Sequence, residues 1–489
     1  MKEQQTKDVI VVGGGISGLT TAWHLNRAGL DVALLEAGRK VGGAMRTEER
    51  DGFLLEKGPF NIIVRDPAFE ELLAGLSDRI SVVTASEEAK KRYLYRKGRL
   101  MAVPTNPVSL FLSPLMGFGG TCRAMRGLVL SRRGGESECT IEEFATRRFG
   151  REVSDTMVSA VVAGILAGDI RRLSAYACFP VLRDFDAKSL SPLGRTFRRI
   201  PNMIRKRWNP QLRRRWSGLV SVNRGLGGLA DAIAETLGSN LHTNCRVDAI
   251  RHSDGRFTLQ SRLGNDSTTE FHCRRLVLAV PVGETSRLLQ PLAPQVSDVV
   301  TGIESASLTV VNMAFRREDV GHPLDGFGFL VPHNEPQFPL MGVLWADSAF
   351  PHHVPPGYRL LRAFVGGSRT PDVISHTDDE LVATSLDALR DLLQLRGKPT
   401  LVDVCPHSAA IPQFHLGHAE KIARLREIVA SIPGLSLAGN YLDGVSINDC
   451  VRLGKQVAQA VTASLKGSSH GPQSELVTAS PAAAASSAS

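Results

Sequence analysis

Residues 8–36 read DVIVVGGGISGLTTAWHLNRAGLDVALLE. The apolar run at 9–12 predicts a buried strand. The glycine cluster after it predicts a tight turn into a helix that stops at Gly29. A second apolar run ends in Glu36. Gly13, Gly15 and Gly18 stand as G-x-G-x-x-G between strand and helix, the setting in which that spacing carries meaning. The first glycine permits the turn, the second lets backbone approach a pyrophosphate, and the third lets helix and strand pack closely. Gly14, Ile16 and Ser17 complete the turn, and the free N–H groups of the helix start face the negative charge. Glu36 falls about 20 residues on, where a carboxylate accepts ribose hydroxyls. The reading is a dinucleotide-binding βαβ unit; the alternative is a glycine-rich turn in some other α/β unit.

The residues that follow choose between dinucleotides. Glu36, Gly38, Gly42, Gly43 and Arg46 form E-x-G-x-x-x-G-G-x-x-R, and Glu56-Lys57-Gly58-Pro59 comes after a short hairpin-like stretch. This pattern resembles the extended FAD fingerprint of the flavin amine oxidase superfamily. It adds Ala37, Arg39, Gly42, Gly43, Ala44, Arg46, Gly58, Pro59, Phe60 and Asn61 to the candidate FAD contacts. Arg39 and Arg46 are placed to neutralise phosphate charge; the alternative for Arg46 is an ordinary surface cation.

With 489 residues the chain is too long for one simple core, and two or three lobes are expected. Seven scattered cysteines without C-x-x-C argue for a reducing compartment and against a disulfide framework or a zinc site. The net charge of +9 is localised: residues 195–215 hold nine Lys/Arg and no acid, which leaves 49 positives against 49 negatives elsewhere. Phe197, Met203, Ile204, Trp208 and Trp216 lie among or beside those cations. Basic residues next to interfacial aromatics suit an anionic membrane surface. A solvated or substrate-facing patch and nucleic acid are the alternatives, and no nucleic-acid module surrounds the cluster. Residues 101–122 carry no charge, but Pro104, Pro107 and Pro114 argue against a spanning helix and for a loop that dips into one leaflet. MKEQQTKD at the start reads as neither a signal nor a transit peptide, so a cytoplasmic, peripherally membrane-associated protein is expected.

The expected fold class is α/β, with a discontinuous Rossmann-like FAD-binding domain, a mixed-sheet substrate domain and a mainly helical membrane-associating domain. The FAD domain is assembled from residues 1–90, 223–300 and 431–466. The helical lobe covers 91–222, the substrate domain 301–430, and a Ser/Ala-rich disordered tail 467–489. Strands are expected around 247–250, 257–260, 276–280, 308–315, 327–331, 339–345, 359–365 and 435–438, and a last helix from Ile447 to Leu465.

Several segments together resemble the protoporphyrinogen IX oxidase family of the FAD-dependent, oxygen-using type. They are FGREVSDTMVSAVVAGILAGDIRRLSAYACFP at 149–180, GNYLDGVSINDC at 439–450, KRYLY at 91–95, GFGFLVP at 326–332 and FVGGSR at 364–369. The resemblance spans about residues 8–466. It implies that Val247 holds the adenine side through its backbone. Gly439, Asn440, Val445, Ser446 and Ile447 would contact the flavin end, where a helix N-terminus stabilises negative charge. It implies that Arg92 pairs with a substrate propionate and that Leu330, Leu344 and Phe364 sandwich the macrocycle. The backbone of Ala163 and Gly164 would face the pyrrole nitrogens. Without the family, Leu330, Leu344 and Phe364 read as sheet-core residues, Arg92 as a surface cation, and Asn440 and Asp443 as caps of the last helix. Trp345 would narrow the slot.

The chemistry implied is hydride loss from the C10 meso carbon to flavin N5 in three rounds, with O2 as acceptor and hydrogen peroxide as product. No acid–base pair stands out, and His24, His322, His333, His407 and His415 sit in no motif; the cofactor carries the redox chemistry. A porphyrinogen, O2 and an anionic membrane surface are the expected partners, nucleic acid is not, and a homodimer and a downstream ferrochelatase-type partner follow from the resemblance alone. Rival readings are coproporphyrinogen III oxidation on the same fold, an amine oxidase or carotenoid desaturase, and a porphyrin-carrying flavoprotein without activity.

Overall fold

The computed structural model describes residues 6–104, 115, 120, 137–183, 216 and 218–467. The basic run at 195–215, most of the charge-free stretch at 101–122, and the expected tail beyond Gly467 lie outside the described residues.

The opening motif builds the first sheet. Lys7–Val12 pairs in parallel with Val32–Leu35 on one side and with Thr268–Leu278 on the other, with Val12 opposite Leu35 and Leu278. Leu241–His242 and Leu435–Leu437 extend the parallel part, while Cys245–Ser253, Arg256–Leu263 and Thr268–Leu278 form an antiparallel meander. The strands are apolar on both faces because both are covered. Val9, Val11, Val32 and Leu34 pack under helices Ile16–Arg27, Gly225–Leu237 and Ile447–Gly467. Ile10, Val12, Ala33 and Leu35 pack the other way, against Val282–Leu289, Gln295–Val300 and His418–Ala430. Three separated stretches of sequence thus share one sheet.

A second seven-stranded sheet runs in the order Leu401–Pro412, Ser305–Arg316, Tyr358–Gly366, Leu340–Trp345, Gly328–Leu330, Tyr93–Arg96, Arg99–Ala102. One face is closed: Val311, Met313, Phe315, Phe329, Val343, Trp345, Leu361 and Ala363 are buried there with Leu381 and Leu389 of helix Asp378–Arg390. The helical reading of 91–222 needs correction at both ends. Tyr93–Arg96 and Arg99–Ala102 form a hairpin through Lys97 (φ 49°) and Gly98 (φ 79°), a turn whose hand matches strand twist. Tyr93 and Tyr95 alternate into the sheet core, which outweighs the helical pattern around them. Leu219–Val222 is also a strand, paired with Ile62–Ile63 and Val82–Thr84.

Between these ends the described residues form helices joined by short irregular segments. Ile141–Phe149 starts at a capping box in which Thr140 and Glu143 satisfy each other's backbone N–H. Arg151–Val153, a five-residue π turn at Ser154–Val158 and Ser159–Leu166 follow, and the run stops at Ala167 in the left-handed region. No helix among the described residues is long and apolar enough to cross a membrane. The six described cysteines are free thiols.

Candidate functional site

The glycine turn has the geometry a dinucleotide requires. A Cβ on Gly13 would lie 2.4 Å from the Ala279 carbonyl oxygen, and one on Gly18 would lie 1.9 Å from that of Gly13. A Cβ on Gly15 would meet nothing within 4 Å, so open space lies over the start of helix Ile16–Arg27. That start has no side-chain cap, and its N–H groups are left for an anion. Glu36 accepts from Gly14 N at 2.6 Å and from Gly38 N at 2.7 Å, which fixes the carboxylate beside the turn with lone pairs remaining. Ala37 follows at the surface, and Arg39 and Arg46 are exposed with no ion pair among the described residues.

The second glycine pair closes over the first. Gly42 N donates to Gly14 O at 2.7 Å, and a Cβ on Gly43 would sit 3.4 Å from Gly15 Cα. Gly58 in turn backs onto Ala44, whose carbonyl a Gly58 Cβ would meet at 2.3 Å. Pro59, Phe60 and Asn61 continue from there, with Phe60 buried against Phe350 at 5.3 Å. Val247 stands at a bulge in its strand, two residues past Cys245, whose N–H donates to Glu36 O at 2.8 Å. The Val247 carbonyl is already taken by Arg287 Nη2 at 2.8 Å.

The last helix closes the cradle from the far end of the chain. Ala438 N donates to Leu278 O, bringing Gly439 and Asn440 to the end of the parallel strands. Asp443 pairs with Arg426 at 2.6 Å, so it does not cap the helix. Ser446 caps instead: Asp449 N donates to its Oγ at 3.2 Å. Asn448, which the sequence did not single out, ties the helix start to the segment Ile63–Arg65. Its Nδ2 donates to Ile63 O at 2.9 Å and its Oδ1 accepts from Arg65 N at 3.1 Å. Val445 leans the other way, against the helical cluster around Phe144 and Leu166, and Ile447 packs into the core under the first sheet.

Facing this cradle is the open face of the second sheet. Gly342 lies opposite both Leu330 and Phe364, and Leu344 lies opposite both Gly328 and Arg362. Leu330, Leu344 and Phe364 therefore share a face with two glycines between them, a shallow apolar recess in which all three stay half-buried. Their neighbours Phe329, Val343 and Ala363 point to the opposite face and are fully buried. Trp345 does too, packed on Tyr93 at 5.3 Å and His322 at 5.1 Å, so it does not narrow the recess. Strand alternation, not size, decides this.

Helix Ser159–Leu166 crosses the recess. A Cβ on Gly164 would come 2.6 Å from Leu330 Cδ2. Gly164 is exposed in the last turn, where carbonyls lose their helical partners. Ala163 is buried, and its carbonyl accepts from Ala167 N at 3.0 Å. Arg92 is exposed with its guanidinium 5.8 Å over the Phe327 ring. Lys91 beside it is neutralised by Asp325 at 2.5 Å, while Arg92 makes no ion pair among the described residues.

The two halves are joined by a buried polar junction that sequence reasoning missed. Successive carbonyls of Glu56, Lys57 and Gly58 accept from Arg362 Nη2 at 2.8 Å, His407 Nε2 at 2.6 Å and Arg362 Nη2 at 2.9 Å. A carbonyl only accepts, so His407 carries its proton on Nε2. Lys57 pairs with Asp403 at 2.6 Å, which Asn312 Nδ2 also reaches at 3.0 Å. Burial pushes the Glu56 carboxyl up to about 7, against Leu226 N at 2.6 Å, the Arg362 charge and Thr47 Oγ1 at 2.8 Å.

A folded value above the ordinary 4.5 means that the folded state holds its proton more tightly. The stability from Glu56 is then full below pH 4.5 and is lost as pH rises through about 7. Glu56→Gln is expected to abolish that decline, worth about 3 kcal/mol. Thermal melts of both proteins across this range check it; parallel curves would mean that Glu56 titrates normally.

Residues 16–462 match the family model for flavin containing amine oxidoreductase. The chain is 27% identical over 477 residues to coproporphyrinogen III oxidase of Bacillus subtilis (strain 168), covering 93% of this chain and 98% of that one. It is 30% identical over 476 residues to the chloroplastic protoporphyrinogen oxidase of Nicotiana tabacum, covering 93% and 85%. Among solved structures, a protein of Exiguobacterium sp. 255-15 provisionally assigned as a protoporphyrinogen oxidase shares the fold with a TM-score of 0.78, at 24% identity over 94% of this chain and 100% of that one. The open space above Gly15, the uncapped helix start and the carboxylate of Glu36 suit the FAD that such a family requires. The chain belongs to the flavin containing amine oxidoreductase family, and its cofactor is FAD.

Proposed function

We propose that this protein oxidises a porphyrinogen to the porphyrin, with protoporphyrinogen IX as substrate and O2 as final acceptor. The observation that carries the reading is the half-buried recess of Leu330, Leu344 and Phe364, crossed by Gly164. Exposed Arg92 immediately precedes strand Tyr93–Arg96, which pairs with the strand of Leu330. A macrocycle with acidic arms needs an apolar platform and a cation at its edge, and the porphyrinogen oxidases among the relatives span nearly the whole chain.

Bound FAD supplies the redox chemistry, taking two electrons per round and passing them to O2. One porphyrinogen and three O2 give one porphyrin and three H2O2. The chain's own residues position the substrate. Leu330, Leu344 and Phe364 hold the ring, the Gly164 carbonyl accepts from a pyrrole N–H, and Arg92 pairs with a propionate. Asn448 and Ser446 hold the last helix so that its N-terminus meets negative charge at the flavin end. Aerobic assay of the purified protein with protoporphyrinogen IX, reading porphyrin fluorescence and peroxide together, tests the reading. Flavin that porphyrinogen fails to bleach anaerobically would end it.

Coproporphyrinogen III is the second substrate reading, favoured by the Bacillus subtilis relative of that name. Steady-state rates on both porphyrinogens decide between them.

A poorly soluble substrate is best exchanged at a bilayer. The basic run at 195–215 and the exposed apolar side chains Val161, Ile165 and Val181 support peripheral docking on an anionic surface. Replacing the six Lys/Arg of 205–207 and 213–215 by glutamine is expected to reduce co-sedimentation with anionic liposomes by roughly tenfold or more. Unchanged binding would remove the basic run from the docking surface.

A further inference from the structure

Strand Tyr358–Gly366 carries an arginine at the border of the recess. Arg362 is wholly buried, on the face it shares with Phe364 and opposite Leu344. An interior guanidinium is costly and persists where its hydrogen bonds are well made or its charge is used. Here they are well made on one side. Nε donates to Asn312 Oδ1 at 3.0 Å, and Nη2 donates to the carbonyls of Glu56 at 2.8 Å and Gly58 at 2.9 Å. The plane is held between Phe60 at 4.9 Å and Phe364 at 5.6 Å. Nη1, by contrast, is buried with no acceptor among the described residues. With the other edge pinned, an unfilled donor there is unfavourable in the chain alone.

The neighbouring acids, Glu56 and Asp403, offset its charge only in part. Asp403 is shared by Lys57, Arg50 and Asn312. Glu56 offers Arg362 its main-chain carbonyl while its carboxylate faces Leu226 and Thr47. Burial lowers the Arg362 pKa only to about 10, so it stays cationic near neutrality.

We propose that Arg362 is a positioning residue for the redox step: it locks Glu56–Gly58 to the sheet that bears Phe364, and its remaining charge favours the electron-rich, reduced state of the bound flavin. This rests on the reading that Gly58–Asn61 borders FAD and that Phe364 stacks on the substrate.

The test compares wild-type, Arg362→Met and Arg362→Lys holoproteins by anaerobic dye equilibration without porphyrinogen, so that it stands apart from substrate identity. Arg362→Met is expected to retain flavin and to lose at least tenfold in the relative stabilisation of the reduced form, a midpoint potential about 30 mV more negative. With porphyrinogen, kcat falls tenfold or more while KM changes less than threefold. Arg362→Lys keeps the charge without gripping both carbonyls, so its potential stays near that of the wild type while kcat falls. A Met variant with the wild-type potential, whatever its melting temperature, overturns the proposal and leaves Arg362 a structural clamp. Should the Met variant lose its flavin, the Lys variant decides: a tenfold loss of reduced-form stabilisation there overturns the role of charge. A wild type that holds flavin but ignores porphyrinogen would defeat the substrate reading and leave this measurement intact.

Discussion

Gly18→Val is expected to yield a protein without flavin colour. The Cβ would sit 1.9 Å from Gly13 O and 3.1 Å from Ala279 Cβ, and the first of these is backbone that cannot swing aside. Relief requires the first helix to move off the glycine turn. That movement opens the space above Gly15 and turns the uncapped N–H groups away from the pyrophosphate. A loss of at least about 100-fold in FAD affinity, or about 3 kcal/mol, is expected. The helix also packs on the last helix, where a Gly454 Cβ would meet Ser17 O at 2.8 Å, so the displacement reaches the flavin end. The ratio of flavin to protein absorbance after gel filtration measures it. A Gly18→Val variant with stoichiometric FAD would show that this turn does not hold the cofactor.

Arg92→Ala is expected to lower kcat/KM for the porphyrinogen by about 10- to 100-fold, with flavin content unchanged. Among the described residues Arg92 has no carboxylate partner, unlike Lys91, which leaves it for a substrate propionate. Its exposure places the expected loss toward the lower figure, because solvent screens the pair. The deficit is expected to shrink as salt is raised. Arg92→Lys is expected to recover part of it, since charge remains but the bidentate fork is lost. Equal specificity constants for wild type and Ala variant at low salt would remove Arg92 from the site.

Local pattern made much of this protein legible. Glycines at 13, 15 and 18 between an apolar strand and a helix admit few readings, because 13 and 18 are required by a close backbone approach that no side chain survives and 15 leaves open space over the helix start. The same applies to Glu36, whose place at the strand end follows from the length of one βαβ unit. Strands in the second sheet were readable from runs of apolar residues, since they gain from burial wherever they pair. The hairpin at Tyr93–Ala102 was not, because its stability comes from a sheet whose other strands lie more than 200 residues away.

Arg362, Asn448 and Trp345 mark the limit. An arginine in YRLLRAFVGG reads as a surface cation, and nothing nearby in the sequence reveals that the carbonyls of Glu56 and Gly58 will meet it. Asn448 looks like any first-turn residue until its amide is seen to bridge Ile63 and Arg65. Trp345 lies beside Leu344 in the chain but on the other face of the sheet. What the sequence alone determined was the glycine turn with its Glu36 and the family's frame, because the turn rests chiefly on short-range sterics and on hydrogen bonds within one βαβ unit. The face each residue presents, and the junction of Arg362, His407 and Asp403 that binds the cradle to the substrate sheet, were decided only by tertiary structure, because they depend on contacts between segments more than 300 residues apart.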